Sequence, residues 1–421
     1  MGKKEWIESW ASKCMQCEIA HCKFACPLQN DIPNMIKQIK DNNYKKAYEI
    51  LCQTTIMPAI CGRICPHERQ CEGGCSKCTN GHPVKIGNLE TFIGMQAIKN
   101  NWELPQTKKI NKKVAIIGAG PAGLTCAAFL AMNGVDVTIY EKHNYLGGLL
   151  KHGIPDFRLK KETLNQTLNK ILKLPIKIKY NMSLGGNLYL EDLKKEYHKI
   201  FISIGANEGA KMNINGENLQ GVYSGNELLE YKNHPKYKNK TVMISGGGNV
   251  AMDTARTIKR LGARNVTIVY RRDEKNMSAD SKEIEAAKRD GVLFQFETNI
   301  KQIKGKNKVE SICCTKNEIR YDENGKCFLE EIENSNFSLK CNYVVMSVGS
   351  KTEEIVKTLG LEIDENQKIK VDSTYKTSDD QIYSGGDVTH TIATVAWAAK
   401  TGREAAKNII KSFQEEKQGS L

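Results

Sequence analysis

Cysteines near the start of the chain are the residues best suited to chemistry. Ten of the fifteen lie between Cys14 and Cys78, and four fall within the thirteen residues from Cys14 to Cys26. The first residues lack the continuous apolar stretch of a secretory signal, so the protein is expected to stay in the cytoplasm. Because disulfides are rare in that compartment, the cysteine pattern indicates metal ligation.

The spacing of these cysteines distinguishes two kinds of metal centre. The first four are separated by two, four and three residues, and a second group follows at Cys61, Cys65, Cys71, Cys75 and Cys78. Zinc sites usually present two close cysteine pairs separated by a loop. A compact run ending in Cys26-Pro27 is instead typical of bacterial iron–sulfur proteins, in which the last cysteine serves a different cluster. The pattern favours iron–sulfur clusters, with two structural zinc ions as the alternative.

A glycine turn between two predicted strands indicates a dinucleotide site. Gly118, Gly120 and Gly123 fit a tight turn, a close approach to a pyrophosphate and close packing of a helix whose N-terminus faces the phosphates. Glu141 ends the second strand, where a carboxylate can accept hydrogen bonds from ribose hydroxyls. A purely structural turn is the alternative, but strand, helix, second strand and acid all follow in order. The glycine pair within Leu146–Leu149 would let a flat ring lie close to the backbone.

The same pattern recurs later in the chain with a different strand end. Gly246 and Gly248 hold the turn positions, and Ala251 replaces the third glycine. Arg271 and Arg272 stand where the first pattern has an acid. An acid there would repel the 2′-phosphate that an arginine attracts, so NADPH is predicted over NADH. An arginine pair on a solvated loop is the alternative.

Composition and charge narrow the possible partners. The chain has 421 residues, of which 40% are hydrophobic and 26% charged, as in ordinary globular proteins. Its formal charge is +14, but the 62 lysines and arginines are scattered, which favours steering of an acidic partner over nucleic-acid binding. The stretch Val114–Met132 lacks charge and is long enough to cross a membrane. Its glycines and proline predict a buried strand, turn and helix instead, so no membrane partner is expected.

The elements that position these residues form three predicted blocks. Residues 1–110 are cysteine-rich and helical, with apolar residues at three-to-four-residue spacing. The two glycine turns each begin an alternation of strands and helices. Two such units predict two parallel-sheet, Rossmann-like nucleotide-binding domains, so the fold class is α/β behind a helical N-terminal domain. The glycine-containing cluster Tyr383–Asp387 precedes a last predicted helix that begins near Thr394. The N-terminus of this helix would point its amides at a ligand bound beside Asp387.

Five motifs in order resemble the small subunit of NADPH-dependent glutamate synthase, a family whose architecture recurs in the flavin and iron–sulfur part of dihydropyrimidine dehydrogenase. They are Gly118–Leu124, Gly147–Arg158, Gly246–Asp253, Tyr270–Glu274 and Gly386–Asp387. The resemblance implies an iron–sulfur domain over residues 1–110 and an FAD-binding domain over 111–235 and 351–421. An NADPH-binding domain over 236–350 would be inserted in the FAD-binding domain.

The resemblance also assigns site residues. It implies two [4Fe-4S] clusters with crossed ligation, one held by Cys14, Cys17, Cys22 and Cys75 and the other by Cys26, Cys65, Cys71 and Glu90. Three cysteines of that domain are then interpreted as small buried thiols: Cys52, Cys61 and Cys78. FAD would contact Gly118, Gly120, Pro121, Ala122, Gly123, Leu124, Glu141, Gly148, Leu149, Arg158 and, in the loop from Gly386 to Val395, Gly386, Asp387, Thr394 and Val395. NADPH would contact Gly246, Gly248, Asn249, Val250, Ala251, Arg271 and Arg272.

The function implied by the resemblance is that of an electron-input subunit. NADPH would pass a hydride to FAD, and single electrons would reach a larger catalytic partner through the clusters, with no side chain acting as nucleophile or general acid. The arginines of Tyr270–Glu274 favour the glutamate synthase small subunit, and hence glutamate biosynthesis. The alternatives are the NAD(P)H-oxidising subunit of dihydropyrimidine dehydrogenase, with a pyrimidine-reducing partner, and a non-enzymatic redox-sensing module.

Overall fold

The computed structural model describes residues 3–323, 327–390 and 392–418. Its helices are α1 (Lys3–Ser12), α2 (His21–Ala25), α3 (Ile32–Lys40), α4 (Tyr44–Cys52), α5 (Pro58–Ile64), α6 (Ile86–Lys99), α7 (Pro121–Met132), α8 (Lys161–Ile171), α9 (Leu190–Glu196), α10 (Gly225–Tyr231), α11 (Asn249–Arg260), α12 (Ser281–Arg289) and α13 (Val395–Gln418). Its strands are β1 (Lys113–Ile117), β2 (Asp136–Glu141), β3 (Ile176–Tyr180), β4 (Lys199–Ile202), β5 (Glu208–Gly209), β6 (Val222–Ser224), β7 (Thr241–Ser245), β8 (Asn265–Val269), β9 (Leu293–Gln295), β10 (Thr298–Lys304), β11 (Ser311–Tyr321), β12 (Cys327–Glu331), β13 (Phe337–Lys340), β14 (Tyr343–Met346), β15 (Ser350–Lys351) and β16 (Ile382–Ser384).

The chain divides into two units, each with its own hydrophobic core. Unit 1 comprises Met1–Lys151, Asp156–Ala206 and Thr352–Leu421, and unit 2 comprises His152–Pro155 and Asn207–Lys351. Unit 2 therefore interrupts unit 1, as an inserted domain requires. The range 236–350 predicted for the NADPH-binding domain lies within unit 2, which also contains residues 207–235 of the range predicted for the FAD-binding domain.

The first six helices of unit 1 form the cysteine-rich region. Helix α3 buries Ile32, Met35, Ile36 and Ile39, which confirms the predicted helical spacing of its apolar residues. Helices α5 and α6 approach closely at glycines. A Cβ at Gly62 would lie 2.4 Å from the oxygen of Gly87, so no larger residue fits there without movement. This contact fixes the start of α6 against the segment that carries Cys61 and Cys65.

The sheet of unit 1 has five parallel strands in the order β16-β4-β1-β2-β3. Helix α7 packs on this sheet and on α13, and its residues from Ala122 onward are all buried. A Cβ at Gly402 of α13 would lie 2.1 Å from the oxygen of Ala122, so the two helices touch at this glycine. Burial on every side confirms the prediction that the uncharged stretch is a strand, turn and helix. Among the described residues, no helix is both long and apolar enough to span a membrane.

Unit 2 repeats the same arrangement. Its parallel sheet has the order β6-β14-β7-β8-β9, and its core includes Val242, Ile244, Val266 and Ile268, none of which is exposed. The sequence β7, turn, α11 and β8 matches β1, turn, α7 and β2 of unit 1. In a separate antiparallel sheet, β11 pairs with β10, β12 and β13. The two parallel sheets confirm the predicted pair of nucleotide-binding folds.

A buried arginine joins the last helix to the cysteine-rich region. Arg403 of α13 is 3% exposed, and its Nη1 donates hydrogen bonds to the backbone oxygens of Leu28 (2.6 Å) and Thr54 (3.0 Å). Glu404 accepts from its Nε at 2.7 Å, which compensates the buried charge. The C-terminal helix therefore holds the loop that follows Cys26.

Replacing Arg403 with methionine is expected to lower the free energy of unfolding of unit 1 by about 2–4 kcal/mol. Two backbone oxygens would lose a charged donor while they stay buried. Urea unfolding followed by circular dichroism measures the change. Lys407→Met is the matched control, because Lys407 contacts the same Glu404 at 3.2 Å but is 52% exposed, and its loss should cost at most about 0.5 kcal/mol. Equal effects of the two variants would contradict a structural role for the Arg403 contacts.

Candidate cofactor-binding sites

The first cysteine group, Cys14, Cys17, Cys22 and Cys75, lines one cavity of unit 1. Cys75 lies close to α2 because its neighbour Gly74 packs directly against that helix. A Cβ at Gly74 would lie 2.9 Å from the backbone oxygen of His21 in α2. Burial raises the pKa of Cys22 to about 11, and the nearby Cys75, Cys14 and Cys17 add to the shift. Four thiols that influence one another around a cavity are suited to share a metal centre.

The second cysteine group, Cys26, Cys65, Cys71 and Glu90, lies deeper in the same unit. Burial raises the pKa of Cys26 to about 12, with a further contribution from Glu90. Burial also raises the pKa of Cys71 well above its usual value, and Cys26 and Glu90 again contribute. The four side chains predicted from distant parts of the sequence are therefore close neighbours.

Glu90 is a buried carboxylate whose negative charge is offset by few hydrogen bonds. It is 6% exposed, burial raises its pKa well above the usual range, and its Oε1 accepts a hydrogen bond from Asn30 at 3.2 Å. Its helix is fixed at the N-terminal end, where Gly87 donates to the buried Glu72 at 3.1 Å. A carboxylate and three thiols in such a place need protons or a cation to offset their charge.

Cys61, interpreted from the sequence as a buried thiol outside both ligand sets, belongs to the same neighbourhood. Its side chain is 1% exposed and lies 3.9 Å from the hydroxyl of Thr55. A hydrogen bond with Cys61 is the first cause of the raised pKa of Cys65, and burial is the second. The spacing of four residues on α5 could have suggested this contact, because such residues share a helix face. Cys61 is thus a buried thiol, as predicted, that also contacts a candidate ligand. Cys52 is buried as well, but Cys78 is exposed, so the prediction of a buried thiol is wrong at that position.

Both groups fit iron–sulfur clusters. Thiolates are the usual ligands of such clusters, and the second group offers a fourth ligand in Glu90. The buried, mutually repelling acids of the second group would be stabilised by bound iron, which favours their deprotonated forms. The first group is half-buried, whereas Cys26 and Cys71 of the second are buried.

The first glycine turn forms a cradle at the N-terminus of α7. Gly118 has a φ of +96°, and a Cβ at Gly123 would lie 1.9 Å from the oxygen of Gly118, so both positions require glycine. No described atom lies within 4 Å of a Cβ placed at Gly120. The helix N-terminus therefore faces open space, as a pyrophosphate would require. Pro121 opens the helix, while Ala122 and Leu124 are buried behind the turn.

Three further segments meet this turn. Glu141 is 5% exposed, and its two carboxylate oxygens accept from the backbone nitrogens of Ala119 (2.8 Å) and His143 (2.9 Å). A carboxylate can still accept from ribose hydroxyls, since two lone-pair positions remain. A Cβ at Gly148 would lie 3.0 Å from Gly120, and one at Gly386 would lie 3.1 Å from the Cβ of Ala122. The predicted FAD segments thus converge on one helix end.

The loop after β16 presents a buried carboxylate to this region. Burial raises the pKa of Asp387 to about 6, and no hydrogen-bond partner of its Oδ1 is found in the described part of the chain. Lys368 holds the loop from the other side, donating to the backbone oxygens of Asp387 and of His390, the latter at 2.9 Å. Burial lowers the pKa of His390 to about 4, with Lys368 as the second cause. At neutral pH, Asp387 is therefore a carboxylate and His390 is uncharged.

These features fit FAD in unit 1. Asp387 can accept a hydrogen bond from a ligand hydroxyl, and the turn leaves room for phosphates. Leu149 lies in the short 3-10 turn Gly148–Leu150 beside the cradle, and Thr394 caps α13, accepting from the nitrogen of Trp397 at 3.3 Å. Val395 begins α13, and Arg158 is half-buried before α8. Thr391, within the predicted loop, lies outside the described residues. Lys368 is the contact that sequence reasoning missed.

The second glycine turn lies at the carboxyl end of the unit 2 sheet. Gly246 has a φ of +137°, and a Cβ at Gly247 would lie 2.4 Å from the ring of Tyr270, which brings β8 under the turn. Asn249 begins α11 and accepts from the nitrogen of Asp280 at 3.0 Å. Val250 is half-buried, and Ala251 packs fully into the core in place of the third glycine.

The arginine pair follows β8 at the same end of the sheet. Arg271 is exposed, and its backbone oxygen accepts from Asn317 at 2.9 Å. The Nε of Arg272 is buried and has no hydrogen-bond partner among the residues described. Guanidinium groups beside a glycine turn are suited to a phosphate, so this site fits a phosphorylated dinucleotide such as NADPH.

Two family models match the chain. Residues 112–402 match a model described as pyridine nucleotide-disulphide oxidoreductase. Residues 2–102 match a model described as dihydropyrimidine dehydrogenase domain II, 4Fe-4S cluster. The prediction of iron–sulfur chemistry over zinc in the N-terminal domain is confirmed.

Several known proteins match the chain over nearly its whole length. The glutamate synthase (NADPH) small chain of Escherichia coli (strain K12) is 33% identical over 424 residues, which cover 95% of this chain and 90% of that protein. The NAD-dependent dihydropyrimidine dehydrogenase subunit PreT of Salmonella typhimurium is 33% identical, with 96% and 94% covered. The structure of Mycobacterium tuberculosis FprA in complex with NADPH has a TM-score of 0.66 at 20% identity and covers 73% of this chain and 86% of its own, which shows a shared fold.

Proposed function

Because the chain belongs to the pyridine nucleotide-disulphide oxidoreductase family, we propose that it is the electron-input subunit of a larger enzyme, and that this enzyme is glutamate synthase. The motif-based resemblance to the glutamate synthase small subunit is confirmed by the relatives. The chain is accordingly an FAD-dependent NAD(P)H oxidoreductase with a 4Fe-4S domain at its N-terminus.

One observation carries the proposal. The two cysteine groups and the FAD cradle belong to the same unit, with Arg403 of α13 hydrogen-bonded to the loop after Cys26. A sensor that used nucleotide domains only as a scaffold would not need a redox centre and a flavin cradle joined in this way. An electron-transfer protein does, because the rate of electron transfer falls steeply as the distance between two redox centres grows. The presence of both cysteine groups and the FAD cradle in one unit supports an oxidoreductase over the redox-sensing alternative.

In this proposal, two [4Fe-4S] clusters are held by the first and second cysteine groups. The turn from Gly118 to Gly123 binds the pyrophosphate of FAD, Glu141 its ribose, and Asp387 a hydroxyl of its polyol chain. In unit 2, Gly246 to Ala251 bind the pyrophosphate of NADPH, and the arginine pair binds its 2′-phosphate. Bound FAD accepts a hydride and releases electrons singly, which is chemistry that no side chain supplies.

The proposed partner is the larger, glutamate-forming subunit of glutamate synthase. Two kinds of relative are equally similar, and their names differ in the nucleotide: NADPH for the glutamate synthase chain and NAD for PreT. The arginine pair at the end of β8 favours the phosphorylated nucleotide and hence the first kind. An NADH-oxidising subunit with a pyrimidine-reducing partner is the second candidate, supported by the equal identity of PreT.

Anaerobic reduction and reconstitution test this function. NADPH should bleach the flavin absorption of the purified chain, and adding the separately purified large subunit of glutamate synthase from the same cells should couple NADPH oxidation to glutamine-dependent glutamate formation. The pyrimidine-reducing subunit of the same cells serves as the comparison. Coupling to that subunit alone would move the function to pyrimidine metabolism, and absence of flavin bleaching would contradict an oxidoreductase.

A further inference from the structure

Three large apolar side chains are exposed within the first cysteine run. Met15 is 57% exposed, Ile19 65% and Phe24 68%, and we call these three residues the apolar patch. Single exposed apolar residues are common on protein surfaces, but a group of them within ten residues marks an interaction site. Met15 also lines the cavity of the first cysteine group. The apolar patch therefore lies on the same segment as three ligands of the first cysteine group, and one of its members, Met15, borders that group directly.

The segment that carries the apolar patch is held by many contacts. Gln16 has a φ of +55° and donates to the sulfur of Cys14 at 3.3 Å, and Cys17 lies 3.6 Å from the hydroxyl of Ser76. Four candidate ligands within thirteen residues would fix it further once a metal binds. A surface that is already ordered loses little conformational entropy on binding, which favours association.

Four lysines lie on the segment that carries the apolar patch or next to it, and we call them the lysine rim. Lys40 donates to the backbone oxygen of Cys14 at 2.8 Å, and Lys13 lies 3.7 Å above the ring of Trp10. Lys23 lies between Cys22 and Phe24 on the sequence, and Lys77 lines the same cavity as the first cysteine group. Within the segment from Lys13 to Phe24 itself, two lysines, Lys13 and Lys23, stand against one acid, Glu18. A partner with acidic groups around an apolar centre would complement this surface.

The exposure of the thiols indicates which cysteine group lies nearer to this surface. Cys14, Cys17, Cys22 and Cys75 are partly exposed, whereas Cys26 and Cys71 are buried. Of the two cysteine groups, the first is therefore the more exposed, since Cys65 is the one thiol of the second group that is also partly exposed. A partner seated over the apolar patch would approach the first cysteine group, whose cavity Met15 lines.

We propose that the apolar patch, with its lysine rim, is the docking surface for the electron-accepting subunit. This inference rests on the proposed function. The partner it fits is a protein with an apolar centre ringed by Asp and Glu. The two electrons that leave NADPH, with NADP⁺ and a proton as the other products, cross this surface singly and reduce the partner.

The test compares two double variants of the full chain with its cofactors loaded. Ile19→Asp with Phe24→Asp places charge in the apolar patch. Leu172→Asp with Tyr189→Asp is the matched control, because these side chains are 36% and 53% exposed elsewhere in unit 1. Both variants should keep wild-type iron content and wild-type rates of flavin bleaching by NADPH. The Kd for the large subunit of glutamate synthase should rise at least tenfold in the patch variant and stay within about twofold in the control.

Flavodoxin, a small acidic one-electron acceptor, serves as a second probe. Its reduction by NADPH should slow at least tenfold in the patch variant, and wild-type rates should fall as salt rises, because salt screens the lysine rim. If the patch variant binds the large subunit as tightly as the wild type does, the docking proposal is wrong. If the wild type does not bind that subunit at all, the proposed partner is wrong. The rates of flavodoxin reduction then test whether the apolar patch is a docking surface. Equal flavodoxin rates in the two double variants would then overturn it.

Discussion

Replacing both Arg271 and Arg272 with glutamate is expected to lower kcat/KM for NADPH about 100-fold or more, while kcat/KM for NADH changes less than about threefold. The two guanidinium groups follow β8 beside the second glycine turn, and each would form a charge-assisted hydrogen bond with the 2′-phosphate. Losing two such bonds costs about 3–6 kcal/mol, and the new carboxylates repel the phosphate as well. Steady-state rates with each nucleotide and ferricyanide as acceptor measure the change.

The control for the arginine pair lies in the same unit. Arg320 is also exposed and forms ion pairs with Glu318 and Glu330 on the paired strands β11 and β12, so Arg320→Glu should leave both rates unchanged. Lysine at positions 271 and 272 should retain part of the NADPH preference, because the charge remains without the bidentate geometry. A parallel fall in the NADH rate would show that the arginines act on folding or on the shared part of the nucleotide.

Replacing Cys26 or Glu90 with alanine is expected to remove about half of the bound iron. Both side chains belong to the second cysteine group, where Glu90 is buried and its pKa is raised by that burial. With one ligand gone, a cluster in this group would lose its fourth protein bond, while the first cysteine group stays intact. Iron analysis, and electron paramagnetic resonance of the reduced protein, measure the loss separately from activity.

Cys52→Ala is the matched control for Cys26→Ala. Cys52 is as well buried as Cys26, at 3% against 8% exposure, so both variants leave a comparable gap in the helical region. Only Cys26→Ala should lose iron, because Cys52 packs beside Tyr48 away from the second cysteine group. Full iron content in Glu90→Ala would remove this residue from the ligand set, and Cys61, which contacts Cys65, would be the next candidate.

Local patterns in the sequence predicted most of the fold. The glycine turns specify strand, turn and helix because Gly118 and Gly246 adopt positive φ and because Gly123 lies against the oxygen of Gly118. The uncharged stretch was identified as buried by its composition alone. The ligand groups, in contrast, combine residues up to 64 positions apart, such as Cys26 and Glu90, and were accessible only through the resemblance to a family.

Contacts made by ordinary-looking residues could not be predicted. From the sequence, Arg403 is expected to be a solvent-exposed charge on an amphipathic helix. In the structure it donates hydrogen bonds to backbone oxygens more than 340 positions earlier. Lys368 reads as a loop lysine, yet it holds the loop of Asp387. Backbone oxygens carry no sequence signature as acceptors, so such contacts emerge only when the fold brings them together. The apolar patch was invisible for the same reason, because exposure depends on what the rest of the chain covers.

The interruption of unit 1 by unit 2 has a consequence for biosynthesis. A ribosome releases the cysteine-rich helices and four strands of unit 1 first, then all of unit 2, and only then β16 and α13. Until that moment β4 lacks its outer neighbour, α7 lacks the helix that covers it, and the oxygens of Leu28 and Thr54 lack Arg403. Unit 2 can therefore finish folding on the nascent chain, whereas the scaffold for iron and flavin is completed last. Cofactor loading should accordingly wait until β16 and α13 have been made and have joined unit 1.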